Sequence, residues 1–192
     1  PLGLRAARHR QPRGDGGGGG GGMRFIGIDP STKTGICVLN EAGEVVITRE
    51  ITHNGKDPER MYSIIEETAD EVSFHNSQQK AHVCIEGFSY GSKGKSVDIQ
   101  YGIGWGLRLA LFAERIDYTE VTPSQLKKFA CEKGNANKRE VGIAVYKRWG
   151  FENASDNITD AYVLAQIARA KNMSIKLTAF QKDVVSKLKI VA

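Results

Sequence analysis

Three short stretches set a carboxylate where an apolar strand ends or a helix begins: Phe25-Ile26-Gly27-Ile28-Asp29, Val83-Cys84-Ile85-Glu86 and Asp156-Asn157-Ile158-Thr159-Asp160-Ala161. Acids gathered from separate elements suit Mg²⁺, a hard cation that takes carboxylate oxygens, keeps some water and completes its shell with substrate phosphate. The chemistry implied is phosphodiester hydrolysis. Asp156 and Asp160 are four residues apart and share a helix face, with Asn157 on a nearby one. Taken singly, Asp29 also reads as a turn acid and Asp156 as a helix N-cap. Three acids at element ends favour a metal site.

The elements that must position these acids follow from local pattern. Residues 24–29, 34–40 and 44–51 read as an antiparallel meander, with turns at Asp29-Pro30-Ser31 and Ala42-Gly43. Asp57-Pro58-Glu59 predicts a helix start with Asp57 as N-cap, and Met61, Ile64, Ile65, Thr68 and Val72 share one face of that helix. Residues 81–86 and 117–121 read as further strands, and 96–115, 123–131, 138–149 and 156–171 as helices. Helix 96–115 contains Gly102, Gly104 and Gly106, each costing ~1 kcal/mol of intrinsic propensity. Close packing against another helix is the expected compensation. The expected fold is α/β, a five-stranded mixed sheet flanked by helices. Asp29 and Glu86 meet at one sheet edge if their strands are neighbours.

Residues 1–22, Arg-rich and then a run of seven glycines, are expected to be a disordered leader or tag with a Gly linker, and Met23 the native start. The chain carries 27 basic and 22 acidic side chains, a net charge of +5; Arg5, Arg8, Arg10 and Arg13 against Asp15 account for +3 of it, leaving +2. Nucleic-acid binding must therefore be argued from local clusters. Lys93 and Lys95 follow Glu86 in a glycine-rich loop, and Lys127, Lys128, Lys138 and Arg139 lie around a second loop. Phosphate contact is expected of them. Phe88 and Tyr90, set among glycine, serine and lysine, suit stacking on an unpaired base or wedging into a strand junction. Packing of either ring back onto the sheet edge is the competing reading.

Three cysteines and four histidines show no zinc or disulfide spacing. No apolar run approaches the ~18 residues of a membrane span. A cytoplasmic protein is expected.

The ordered set Ile26-Gly27-Ile28-Asp29-Pro30-Ser31, Cys84-Ile85-Glu86, Val121-Thr122-Pro123-Ser124 leading to Lys127, then Lys138 and 156–165 resembles the RuvC family of Holliday-junction resolvases, most of all its phage-encoded branch. The resemblance covers 23–172; for 173–192 the sequence leaves packing on the core or contact with DNA both open. It implies an RNase H-like fold and a homodimer through helix 96–115, whose glycines would pack across the dimer axis. It also implies two Mg²⁺ ions, with Mn²⁺ able to substitute, cutting a four-way junction by paired nicks that leave 5′-phosphates, in DNA recombination and repair. On this reading Asp29 and Asp160 hold one ion, Asp29 and Glu86 the other, and Lys138 with Lys127 balances charge on phosphate. The family places an acid or histidine three residues before the last aspartate, where this chain has Asn157. Asp156 is the favoured ligand in its stead, Asn157 through its carbonyl the alternative. Ser89 stands where cellular members carry the wedge aromatic, so a wider appetite for flaps and forks is expected. Competing readings are a YqgF-like nuclease acting on structured RNA, an actin-like or sugar-kinase ATPase, for which the chain lacks a second domain, and a branched-DNA binding protein without chemistry.

Overall fold

The computed structural model describes residues 22–89 and 97–191. Six strands form one mixed sheet: β1 (Met23–Asp29), β2 (Thr34–Leu39), β3 (Val45–Ile51), β4 (Lys80–Glu86), β5 (Tyr118–Val121) and β6 (Ile190–Val191), in the order β3-β2-β1-β4-β5-β6. The helices are α1 (Glu59–Gln78), α2 (Val97–Ala113), α3 (Pro123–Cys131), α4 (Lys138–Trp149), α5 (Asp156–Asn172) and α6 (Ala179–Ser186). The expected meander is present, and β4 joins β1 in parallel with Ile28 beside Ile85. That pairing brings Asp29 and Glu86 to the same end of adjacent strands.

Strand periodicity divides the core. On β1, Phe25 packs with the α5 side, while Ile26 and Ile28 face α1 and α2; on β4, Cys84 belongs to the first face and Val83 and Ile85 to the second. Counting on by twos puts both Asp29 and Glu86 on the α5 face. Helix α5 is buried on nearly every side, from Ile158 through Ala170, as a helix apolar all round must be. It lies so close to the sheet that a Cβ on Gly27 would come 2.0 Å from the carbonyl oxygen of Ala161. Asp160, next to Ala161, is thereby delivered to the end of β1.

The sheet has six strands rather than the expected five. The segment 173–191 packs on the core: Val184 and Leu188 are buried, Gln181 donates to the carbonyl of Phe129, and Ile190 pairs with Thr119. A two-residue strand and an eight-residue helix carry too little period to announce themselves. Asp57 does not cap α1. Pro58 holds the N-cap position, and the Asp57 carboxylate accepts from Arg60 instead, Nη2 to Oδ2 2.7 Å.

The glycines of α2 are used within the chain rather than across a dimer axis. A Cβ on Gly102 would meet Met61 Sδ at 2.9 Å, one on Gly106 would meet Ile65 Cδ1 at 2.2 Å, and one on Gly104 would meet Phe88 Cε1 at 2.6 Å. Helix α1 thus takes two of them, and the third seats an aromatic ring. What α2 turns outward is bulky: Trp105, Leu109 and Phe112 are 57%, 63% and 66% exposed.

Candidate active site

The local reason for Asp29 to face the site lies in the turn after it. Ser31 and Thr34 close that turn between themselves: Thr34 Oγ1 donates to the Ser31 carbonyl at 2.7 Å and accepts from the Ser31 amide at 3.2 Å. The Asp29 carboxylate is therefore not spent on the turn. Helix α5 is likewise capped by Ser155, whose hydroxyl accepts from the Ile158 amide, so Asp156 lies inside the first turn and is not the cap. Both structural duties open to these acids, closing the turn and capping the helix, belong to hydroxyl side chains.

Asp29 and Glu86 share a side-chain hydrogen bond. Burial raises Asp29 above the ordinary carboxylate range, against the opposing pull of the Glu86 hydrogen bond and Lys138. Glu86 is pushed well up, by burial first and then by the charge of Asp29, with Asp160 adding to it and Lys127 opposing. Asp160 rises to about 7, again from burial first and the Asp29 charge second, with Lys138 and Lys127 pulling it down. Three carboxylates thus sense one another in a dry position, a costly arrangement unless protons or a cation neutralise it.

The donor set is all oxygen, which suits a hard divalent cation rather than a soft one. Among the described residues no three acidic, histidine or cysteine side chains already close into a metal-ligand cluster.

The other expected residues divide. Lys138 lies over the site, its ammonium 2.9 Å from Asp156 and raised chiefly by that contact, with Asp160 and Asp29 contributing. Asp156 is thus at the rim, more than half exposed, paired with a cation. Asn157 directs its Nδ2 to Glu50 of β3, which also accepts from Ser155, and so anchors the start of α5. Lys128 is held by Asp183 of α6 at 2.8 Å instead of standing ready for phosphate. Arg139 is exposed on the first turn of α4.

Phe88 is not projected outward. It is half-buried against α2, with ring centroids 5.1 Å from Tyr101 and 5.5 Å from Trp105, and the Arg108 guanidinium 4.3 Å from its centre. Tyr90, Lys93 and Lys95 lie outside the described residues.

Sequence reasoning missed Glu50, Arg108 and Glu120. Arg108 carried a usable signal, a lone cation inside the apolar stretch Leu107 to Ala113. Its partner Glu120 projects from β5 on the α2 face. Glu50 gave none, since a carboxylate near a strand end is ordinary; only its register opposite Gly35 places it by α5.

A family model described as "Crossover junction endodeoxyribonuclease RuvC" matches residues 25–169. The RuvC protein of Campylobacter concisus is 28% identical over 157 residues, 80% of this chain and 99% of the relative. That of Campylobacter hominis is 27% identical over 158 residues, 79% and 98%. The Thermus thermophilus RuvC structure superposes with a TM-score of 0.60 at 16% identity, over 88% of this chain and all of that one. The same protein in complex with Holliday junction substrate gives 0.59 at 18%, over 88% and 99%. A mixed sheet flanked by helices is common to them, and with the acids at the carboxyl ends of β1 and β4 and on the first turns of α5, this chain belongs to the RuvC family of crossover junction endodeoxyribonucleases.

Proposed function

We propose that the chain resolves four-way DNA junctions by metal-dependent phosphodiester hydrolysis, with Asp29, Glu86 and Asp160 as the core metal ligands. The observation that carries this is the placement of the three acids together: the β1–β4 register sets Asp29 and Glu86 at the same end of adjacent strands, and the close approach of α5 to Gly27 brings Asp160 beside them, with Lys138 at the rim. Bound there, two Mg²⁺ ions, or Mn²⁺, supply water activation and stabilisation of the leaving oxygen. Asp29 lies between the other two acids electrostatically, which suits it to serve both ions. Lys138 and Lys127 hold the scissile phosphate and offset charge that builds on it. Asp156 serves as the fourth ligand once phosphate draws Lys138 from it, because the side chain of Asn157 is engaged by Glu50.

The outward stripe of Trp105, Leu109 and Phe112 on α2 supports a homodimer, since large apolar side chains at helical spacing gain by meeting a second copy. Two copies related by a twofold axis present two sites to two symmetric strands. Phe88, Tyr90, Lys93, Lys95, Lys127 and Arg139 are assigned to branched DNA, including flaps and forks; Lys128 is withdrawn in favour of its contact with Asp183.

Labelled four-way junction, flap and linear duplex, incubated with the protein and with Asp29→Asn in Mg²⁺ and in EDTA, test this. Paired nicks that require metal and vanish in the variant are expected. Binding without nicks would instead identify a branched-DNA binding protein, and cleavage of structured RNA alone would overturn the choice of substrate.

A further inference from the structure

Arg108 sits in the middle of α2 with 3% of its side chain exposed. Burying a cation is costly, and an apolar side chain of similar volume would fill the space more cheaply. Its donors are directed at particular groups. Nη1 donates to the Gly104 carbonyl at 2.9 Å and Nη2 to the Glu86 carbonyl at 2.9 Å. Nε and Nη2 donate to Glu120 Oε2 at 3.1 and 2.8 Å. The guanidinium plane also lies 4.3 Å from the centre of the Phe88 ring. One side chain therefore grips the main chain of a carboxylate in the site and the ring two residues beyond it.

The surroundings tighten this grip. The Gly87 amide donates to the Val121 carbonyl at 2.8 Å, and a Cβ on Gly87 would meet Glu120 Oε1 at 3.1 Å. Phe88 has Gly104 beneath it and Tyr101 and Trp105 beside it. Glu86, Gly87 and Phe88 are thus held by β5, by Glu120 and by α2, and Arg108 touches the first and last of them. A small cavity of about 80 Å³, lined in part by Glu86, Phe88, Tyr101 and Arg108, opens beside this junction.

We propose that Arg108 is a positioning residue that fixes Phe88 relative to Glu86, so that DNA bases meeting the ring are set in register with the metal-binding carboxylates. The claim rests on the function proposed above. It assigns Arg108 no contact with the reacting atoms. Glu120 completes the unit by neutralising the guanidinium and fixing its roll.

The test compares wild type with Arg108→Met, Arg108→Lys and Glu120→Gln on a labelled four-way junction. Three readouts are taken: the position of each nick relative to the branch point, the Mn²⁺ concentration for half-maximal cutting, and the Mn²⁺-induced rise in melting temperature without DNA. In Arg108→Met the nicks should spread to neighbouring phosphates. Its Mn²⁺ requirement should rise about tenfold, as for loss of an outer support of a metal ligand, and its melting shift should shrink. Lysine, which keeps the charge and one donor direction, should restore part of each. Glu120→Gln, which leaves Arg108 in place, keeps the test open if Arg108→Met fails to fold, and should move the readouts the same way by less. Unchanged nick positions and Mn²⁺ requirement in a folded variant, with only the amount of active protein reduced, would overturn the proposal. If wild type cuts no branched DNA, the function reading fails; the melting shift then still decides whether Arg108 supports the metal site through Glu86.

Discussion

Replacing Asp160 by asparagine should make the metal-free protein more stable while abolishing its chemistry. Asp160 is raised from 3.8 to about 7 by burial and by the negative charge of Asp29. For an acid raised on folding, the stabilisation is complete below the unfolded value and is lost as pH climbs through the folded one. The window is therefore from about pH 4 to about pH 7, with stability falling as pH rises. At ~1.4 kcal/mol per pH unit the full span bounds the loss at about 4 kcal/mol. Asp160 is only partly buried and shares its titration with Asp29 and Glu86, so we expect about 1–2 kcal/mol near neutrality and above. For a chain of this size that is a rise of roughly 3–6 °C in Tm. Melting curves of EDTA-treated wild type and Asp160→Asn across that window measure it. The two should nearly coincide below about pH 4, separate between about pH 4 and pH 7 and keep a constant gap above, and Mg²⁺ should raise wild type while leaving the variant almost unmoved. A variant that melts at or below wild type above neutrality, or a gap that ignores pH, would refute the argument that these acids are held together against their own repulsion.

Other substitutions probe separate links. Gly27→Ala puts a Cβ 2.0 Å from the α5 backbone and should cost about 3 kcal/mol or more, read by urea titration. Lys127→Ala should slow single-turnover cutting about tenfold or more, as for loss of a charge that faces the phosphate. Lys128→Ala should leave that rate nearly unchanged, because Asp183 already holds its ammonium. Trp105→Glu with Phe112→Glu, on the proposed dimer face, should leave a folded monomer by light scattering and abolish paired nicking. Asp156→Asn should change stability by under about 0.5 kcal/mol, since its pair with Lys138 is exposed, yet raise the Mg²⁺ needed for cutting.

The parts of this architecture legible in the sequence are those where one residue type answers to one local force. Short apolar runs at 24–29 and 81–86 located β1 and β4, and Pro123 located the start of α3, where the structure adds a capping box from Thr122. Asp29, Glu86 and Asp160 stood out because each follows or begins an apolar element. The tail and the side-chain partnerships could not be read in this way. Val184, Leu188 and Ile190 become core and sheet only because α3 and β5 are there to receive them. The Asp57 carboxylate has two local partners, the helix amides and Arg60, and sequence does not rank them. Glycines in α2 signalled close approach correctly, but close approach has no address: the neighbours are Met61, Ile65 and Phe88 of the same chain.

The end of β4 joins two requirements that pull against each other. The carboxylates need a dry, crowded pocket on the α5 face, where Gly27 lets α5 press onto β1. The ring proposed to meet DNA and the helix proposed to meet a second copy belong to the opposite face, where Arg108, Phe88 and Trp105 stand. Strand alternation would keep Glu86 and residue 88 on one face. Gly87, its amide bonded to the Val121 carbonyl and its Cα tight against the Glu120 side chain, stands where the chain leaves the strand and carries Phe88 across to α2. A change at Gly87 should therefore disturb both functions at once, where a change at Asp29 removes only one. Gly87→Ala would press on Glu120, whose carboxylate holds Arg108, and so disturb the metal requirement and the choice of cleavage position together. Asp29→Asn should leave junction binding in EDTA unaltered and eliminate cutting alone. If Gly87→Ala instead lowers the rate with branch selectivity and metal requirement intact, the two faces are independent and the crossing at Gly87 is only a turn.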